Sequence, residues 1–145
     1  MSDKAISPCQ AACPIHTDVR GYISAIARGD AEEASRIIRQ VNPLPSVCGR
    51  ICTRLCEKAC RRAQVDEPVS IRALKRFAVD QTKDLKFIES PQNSFEERIA
   101  IVGSGTAGLT AAHDLALLGY KVTIYEAQNV LGGLLSEGIP KYRLP

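Results

Sequence analysis

The sequence predicts an α-helical domain followed by the opening βαβ unit of a Rossmann-type α/β domain. Three observations predict it. All six cysteines and a series of helix-period apolar stripes fall in the first half of the 145 residues. A short apolar run, a G-x-G-x-x-G loop, an Ala- and Leu-rich stretch and a second apolar run ending in an acid then follow in that order. Between the halves lies "ESPQNSFEER", polar and carrying Pro91 and Asn93. The expected division is a helical domain over 1–90, a linker over 91–98 and a partial dinucleotide-binding domain over 99–145.

With 45% hydrophobic and 24% charged residues, the chain has the composition of a folded globular protein rather than a disordered one. No run of about 18 apolar residues occurs, so no membrane insertion is expected. "MSDKAISPCQAAC" lacks the apolar stretch of a secretory signal. A cytoplasmic location with reduced thiols is expected, which turns clustered cysteines toward metal or redox roles rather than disulfides. Net charge is only +3, but residues 50–76 hold eight basic residues against three acidic ones. Aromatics are few there, so the stretch is read as offsetting an anionic cofactor or as a solvated face, with no nucleic-acid partner.

The helices follow from caps and periodicity. Asp18 is placed to cap a helix in which Val19, Tyr22, Ile23 and Ile26 fall at i, i+3, i+4 and i+7, with Gly29 as its stop. Asp30 caps the next, "AEEASRIIRQV", which ends before Asn42-Pro43. "NPLPS" is expected to be extended, because residues before proline avoid the helical region. A further helix is expected from Ser70 through "IRALKRFAVDQTKDL", with Ile71, Leu74, Phe77 and Ala78 on its packed face.

Between the second and the last of these helices stands "VCGRICTRLCEKACRR", with Cys48, Cys52, Cys56 and Cys60 each four residues after the last. On a continuous helix the outer two would lie about 18 Å apart at about 1.5 Å per residue. Metal–sulfur bonds of about 2.3 Å cannot span that from one compact site. Either the run is broken or its cysteines face different sites. Cys9 and Cys13 repeat the spacing and are expected to supply further ligands. Spacing alone leaves zinc and iron–sulfur sites both open. His16, three residues after Cys13, is read as a solvated side chain, and His113 as surface or packing.

In the second half, 99–102 is suited to a buried parallel strand and leads straight into Gly103, Gly105 and Gly108. The first glycine permits the tight turn, the second lets a pyrophosphate approach the backbone, and the third allows close helix–strand packing. Thr106 and Ala107 open a helix whose first N–H groups can meet phosphate. Gly119 stops that helix, and "KVTIYE" is a second strand ending in Glu126, 23 residues after Gly103, positioned for a ribose hydroxyl. The fingerprint by itself does not separate FAD from NAD.

"VGSGTAGLTAAHDLALLGYKVTIYEA" together with "LGGLLSEGIPKYRLP" closely resembles the FAD domain of the glutamate synthase small (beta) subunit family. That family includes related flavoprotein electron-transfer subunits and the amino-terminal part of dihydropyrimidine dehydrogenase. "SPCQAACPIHTDVRGYISAIARGDAEEASRIIRQVNPLPSVCGRIC" and "CEKACRRAQVDEPVSIRALKRF" resemble the helical iron–sulfur domain that precedes it. The likeness runs over about residues 7–145. It implies FAD on the glycine loop, with Gly133 and Leu134 leading toward the flavin, and NAD(P)H as hydride donor in the complete protein. It also implies that Cys13, Cys52 and Cys56 share one [4Fe-4S] cluster, while Cys9 and Cys60 belong to another. The chain departs from the family in three ways. Two cysteines that usually precede Cys9 are absent, Thr106 replaces a proline, and Lys75 stands where a Gln or Glu is the last ligand. A lysine cannot ligate while protonated.

One [4Fe-4S] cluster is therefore expected on Cys13, Cys52 and Cys56, with a fourth ligand from Cys9, Cys60 or Cys48. A second cluster would need outside ligands. The implied function is the electron-transfer portion of an NAD(P)H-dependent FAD/iron–sulfur oxidoreductase, working with another redox subunit or the remainder of the flavoprotein. The competing reading is a non-catalytic docking module held together by zinc or a cluster. One βαβ unit is less than a complete FAD domain. The 145 residues are thus expected to be an amino-terminal piece, or a subunit completed by another chain, with no NAD(P)H turnover alone.

Overall fold

The computed structural model describes residues 6–83, 91 and 94–145. The chain forms two compact units, residues 1–85 and 86–145. The expected domain boundary at residue 90 lies outside the described residues.

In the first unit the caps act as the sequence implies. The Asp18 carboxylate accepts the N–H of Gly21 at 2.9 Å and starts α2 (Val19–Ala27), which follows the short α1 (Pro8–Ala11). Gly29, at φ +80, ends the turn that follows. Asp30 accepts the N–H of Glu33 at 2.9 Å and starts α3 (Ala31–Arg39). Glu32 and Glu33 sit in its first turn, where acids complement the helix dipole, and pair with Arg36 at 2.8 and 3.0 Å.

The core joins Val19, Tyr22 and Ala25 of α2, Ala34 and Ile38 of α3, and Ile71, Ala78 and Val79 of α6 (Ile71–Gln81). Enclosing a side chain the size of Ile38 contributes about 1.5–3 kcal/mol. The Tyr22 hydroxyl, fully enclosed, donates to the Ile71 carbonyl at 3.1 Å and ties α2 to the start of α6. Phe77, expected in this core, is 47% exposed. Helix α6 packs on α2, α3 and α4 (Pro45–Ile51) together, so its buried stripe runs through Ile71, Lys75, Ala78 and Val79 instead.

Two expectations about the middle of the unit change. "NPLPS" is non-helical only as far as Leu44, because Pro45 is the first residue of α4 (Pro45–Ile51). Proline suits that position, where its missing N–H has no helical partner to lose. Within α4, a Cβ on Gly49 would stand 3.1 Å from the Arg76 Cα, so glycine lets α4 lie directly on the α6 backbone. The cysteine run is broken. Helix α4 ends at Ile51, Arg54 takes a left-handed conformation at φ +63, and a single turn, α5 (Leu55–Lys58), follows. A 3-10 turn covers Arg61–Gln64, and α5 packs on α1.

The second unit is a βαβ. Strand β1 (Arg98–Val102) pairs in parallel with β2 (Lys121–Tyr125), Ile99 opposite Val122 and Ile101 opposite Ile124. Between them runs α7 (Thr106–Leu118), closed by Gly119 at φ +103. Exposure alternates along both strands, and Val102 is 90% exposed. That corrects the expected burial on both faces: α7 packs against the strands from one side, and alternate residues point away from it. A last short turn, α8 (Leu134–Glu137), follows the loop carrying Gly132 and Gly133.

Candidate functional site

Two sites arise, one in each unit. In the helical unit all six cysteines are free thiols of intermediate burial. Cys9 lies on α1, its Sγ 3.3 Å from the Ser7 hydroxyl. Cys13 occupies the turn after α1. Gln10 and His16 close that turn from either side: the Gln10 amide donates to the His16 carbonyl at 3.1 Å, and the His16 Nδ1 lies 3.3 Å from the Gln10 carbonyl. His16 is exposed and serves the turn rather than the thiols. Cys52 sits just past α4, its Sγ accepting the Arg54 N–H at 3.5 Å. Its carbonyl accepts from the Arg72 guanidinium at 3.1 Å, while the Arg72 N–H reaches Glu57 at 2.8 Å. One residue of α6 thereby fixes both sides of the break.

The break places Cys56 on α5, against α1 and α6, rather than on a continuation of α4. Burial pushes the Cys13 thiol up, but the Thr17 hydroxyl at 3.5 Å, nearby backbone N–H groups and the Lys75 charge outweigh it and hold Cys13 below its ordinary value. Burial, with the Cys52 charge, pushes the Cys56 thiol up against the pull of Lys75. Burial likewise pushes the Tyr22 phenol far up, with Cys56, Cys13 and Cys9 all adding to the effect. Tyr22 thus lies within electrostatic reach of Cys9, Cys13 and Cys56, and Cys52 within reach of Cys56. Cys9 and Cys60 line a cavity of about 640 Å³ rimmed by Arg20, Arg61 and Arg62. Cys48 turns aside, its thiol directed at the buried Asn42 side chain at 3.8 Å. Among the described residues no three His, Cys, Asp or Glu side chains converge closely enough to hold a single metal ion.

Lys75 is the residue that periodicity missed. It is 8% exposed, the one charged side chain in the buried set of described residues. Among those residues no hydrogen bond or ion pair reaches its ammonium. The arginines expected beside an anionic cofactor are mostly engaged elsewhere: Arg50 and Arg76 with Asp80, Arg54 with Glu57, Arg62 with Asp66. Six free, half-buried thiols in the helical unit are the soft donors that a thiolate-held cluster takes, so the residues present fit such a group in kind.

In the α/β unit Gly103 turns at φ +94, its N–H donating to the Tyr125 carbonyl at 2.8 Å. A Cβ on Gly108 would lie 2.0 Å from the Gly103 carbonyl oxygen, which no side chain could accommodate. Thr106 and Ala107, both exposed, open α7. Glu126, chosen for a ribose, is already in use. Its Oε2 accepts the N–H and the hydroxyl of Ser104 at 2.8 and 2.5 Å, and its Oε1 accepts the Gln128 N–H at 2.9 Å. The Ser104 hydroxyl and these N–H groups hold the carboxyl at about 2. Oε1 keeps a free lone pair for a ribose hydroxyl. Ser104 is fully buried, and both its hydroxyl and its carbonyl accept the Gly132 N–H, each at 3.1 Å. A Cβ on Gly133 would lie 3.2 Å from the Gly105 Cα, so the two glycine loops touch. Leu134 beside it is 79% exposed.

Residues 4–87 match the family described as dihydropyrimidine dehydrogenase domain II, 4Fe-4S cluster. Residues 101–142 match the NAD(P)-binding Rossmann-like domain. The chain is similar to the NADPH-Fe(3+) oxidoreductase subunit beta of Geobacter sulfurreducens, at 46% identity over 99% of this chain and 22% of the relative. It is similar also to the NADP(+)-dependent formate dehydrogenase subunit beta of Moorella thermoacetica, at 44% identity over 96% and 23%. A third relative is the NAD-dependent dihydropyrimidine dehydrogenase subunit PreT of Escherichia coli, at 41% identity over 96% and 34%. The chain therefore spans 22–34% of the length of these curated relatives.

Proposed function

Because the chain belongs to the dihydropyrimidine dehydrogenase domain II 4Fe-4S family, we propose that it is the electron-transfer portion of an NAD(P)H-dependent FAD/iron–sulfur oxidoreductase of the glutamate synthase small-subunit type. The observation that carries this reading is the family match over residues 4–87, the stretch that holds all six cysteines as free, half-buried thiols. Cys13, Cys52 and Cys56 are the proposed ligands of one [4Fe-4S] cluster, with the fourth from Cys9 or Cys60 and Cys48 ranked last. When bound, the cluster supplies one-electron transfer. The chain's own part is to fix the thiolates: Thr17 orients Cys13, and Arg72 anchors the loop of Cys52.

In the second unit the proposed ligand is FAD. Thr106, Ala107 and the glycines offer backbone to its pyrophosphate, Glu126 offers Oε1 to its ribose, and Gly133 and Leu134 are assigned to the flavin side by family likeness. NAD(P)H is the proposed hydride source of the complete protein, and the partner is another redox subunit or the remainder of the flavoprotein. The relatives are themselves named as subunits. A cytoplasmic setting would keep the thiols reduced. Among the described residues no helix is long and apolar enough to cross a membrane.

Anaerobic purification with iron, acid-labile sulfide, zinc and flavin analysis tests the proposal. The expected result is iron and sulfide in equal amounts, broad visible absorbance and bound FAD. C56S is expected to lose most of the iron and C48S to keep it. Stoichiometric zinc in a colourless protein would favour a docking module instead.

A further inference from the structure

We propose that Ser104 sets the nucleotide selectivity of the glycine-loop site. It pins Glu126 so that one carboxylate oxygen is presented to an unphosphorylated ribose, and a 2′-phosphorylated nucleotide is turned away. The inference rests on the dinucleotide reading above and goes beyond it, because the selectivity belongs to the serine as well as to the acid. Ser104 is fully buried where the first glycine loop, the end of β2 and the loop of Gly132 meet. Its N–H and its hydroxyl both donate to Glu126 Oε2, at 2.8 and 2.5 Å. The same hydroxyl oxygen accepts the Gly132 N–H at 3.1 Å.

These contacts fix the direction of the serine proton. A hydroxyl has a single hydrogen, and an ionised carboxylate can only accept. With Gly132 donating to Oγ, the hydrogen on Oγ goes to Oε2. Both lone pairs of Oε2 are then filled, and the Gln128 N–H at 2.9 Å takes one of those on Oε1. One acceptor position remains, and the carboxylate cannot rotate without breaking its bonds to Ser104. The Ser104 hydroxyl and these N–H groups hold the carboxyl at about 2, so it is ionised at neutral pH. A ribose hydroxyl has a hydrogen to give to the open position. A phosphate in its place sets negative charge against a fixed negative charge, and the two repel. Without the Oγ bond, Oε2 keeps only the Ser104 N–H, and the carboxylate is free to swing away from an incoming phosphate. Ser104 acts through Glu126 and is therefore a positioning residue. Where the hydride source is NADPH, this selection keeps it from competing with FAD for the same loop.

The test measures binding of two probes to the full chain by calorimetry: ADP, and ADP carrying a 2′-phosphate. Wild type should bind ADP and prefer it to the phosphorylated probe. Ser104→Ala should weaken ADP about three- to tenfold, the worth of roughly one hydrogen bond, and leave the phosphorylated probe unchanged. The preference then narrows by the same factor, which a contact that only supports the fold would not bring about. Ser104→Cys fills the buried site and donates weakly, so it should narrow the preference too, covering the case in which alanine disturbs the loop. Glu126→Gln removes the charge and should narrow the preference by itself. Adding Ser104→Ala to it should narrow the preference no further, as expected of two residues that act as one. A preference unmoved in both serine variants overturns the proposal, whether the probes weaken together or not at all. A further narrowing in the double variant overturns the route through Glu126, and a wild type without preference overturns the selectivity. A wild type that binds neither ADP nor FAD overturns the dinucleotide reading itself.

Discussion

Ser104 holds three parts of the dinucleotide site at one buried position. It donates twice to Glu126 Oε2 and accepts the N–H of Gly132, so the first glycine loop, the end of β2 and the second glycine loop share one hydroxyl. Glu126 is held at about 2 against an ordinary 4.5. A depressed carboxyl stabilises the fold above its ordinary value, and that stabilisation is lost as pH falls from 4.5 through about 2. Ser104→Ala should move the Glu126 midpoint up toward 4.5, followed by carbon NMR of its carboxyl, and should bring acid unfolding of this unit to higher pH. The same variant should weaken binding of ADP, an FAD fragment, about three- to tenfold in calorimetry, the worth of roughly one hydrogen bond. Sequence reading found the glycines and Glu126 because their spacing is fixed by the turn. It passed over Ser104 because that position of the motif carries no spacing rule. It passed over the burial of Lys75 because periodicity assigns charged residues to the outside.

The helices were legible where a local side chain decides their ends. Asp18, Asp30, Gly29 and Gly119 each act through a hydrogen bond or a positive φ that belongs to the residue itself. The break in the cysteine run was not legible in the same way. No glycine or proline marks it, and Arg54 adopts φ +63 at a cost of about 1–2 kcal/mol that tertiary bonds must offset. Those bonds come from Arg72, twenty residues after Cys52. Helix length did indicate that four cysteines could not serve one compact site, though not where the chain would bend. The contact of α4 with α6 is likewise a tertiary matter, concentrated at Gly49. Gly49→Ala should cost about 1–3 kcal/mol by crowding, more than the roughly 0.5–1 kcal/mol gained from better helix propensity. The urea midpoint should fall accordingly, with little change in slope. An unchanged or raised midpoint would show that α4 can back away from the Arg76 backbone.

At the scale of the whole molecule, two compact units carry two chemistries, and each ligand should stabilise its own unit. Binding to the native state alone adds to stability by mass action, and metal binding is folding energy for the residues it ties together. Stripping iron with a chelator should speed hydrogen exchange in α1 to α6 and leave β1, α7 and β2 unchanged. ADP should slow exchange in the second group only. Uniform changes across both would contradict the assignment of one ligand to each unit. Tyr22 makes the first of these events visible. The chain has four tyrosines and no tryptophan, and Tyr22 alone lies in the helical unit. Its fully enclosed ring stands within electrostatic reach of Cys9, Cys13 and Cys56. It is therefore a built-in lamp beside the thiols: a coloured centre seated there dims its ultraviolet emission by energy transfer, and occupancy can be followed in real time without any attached dye.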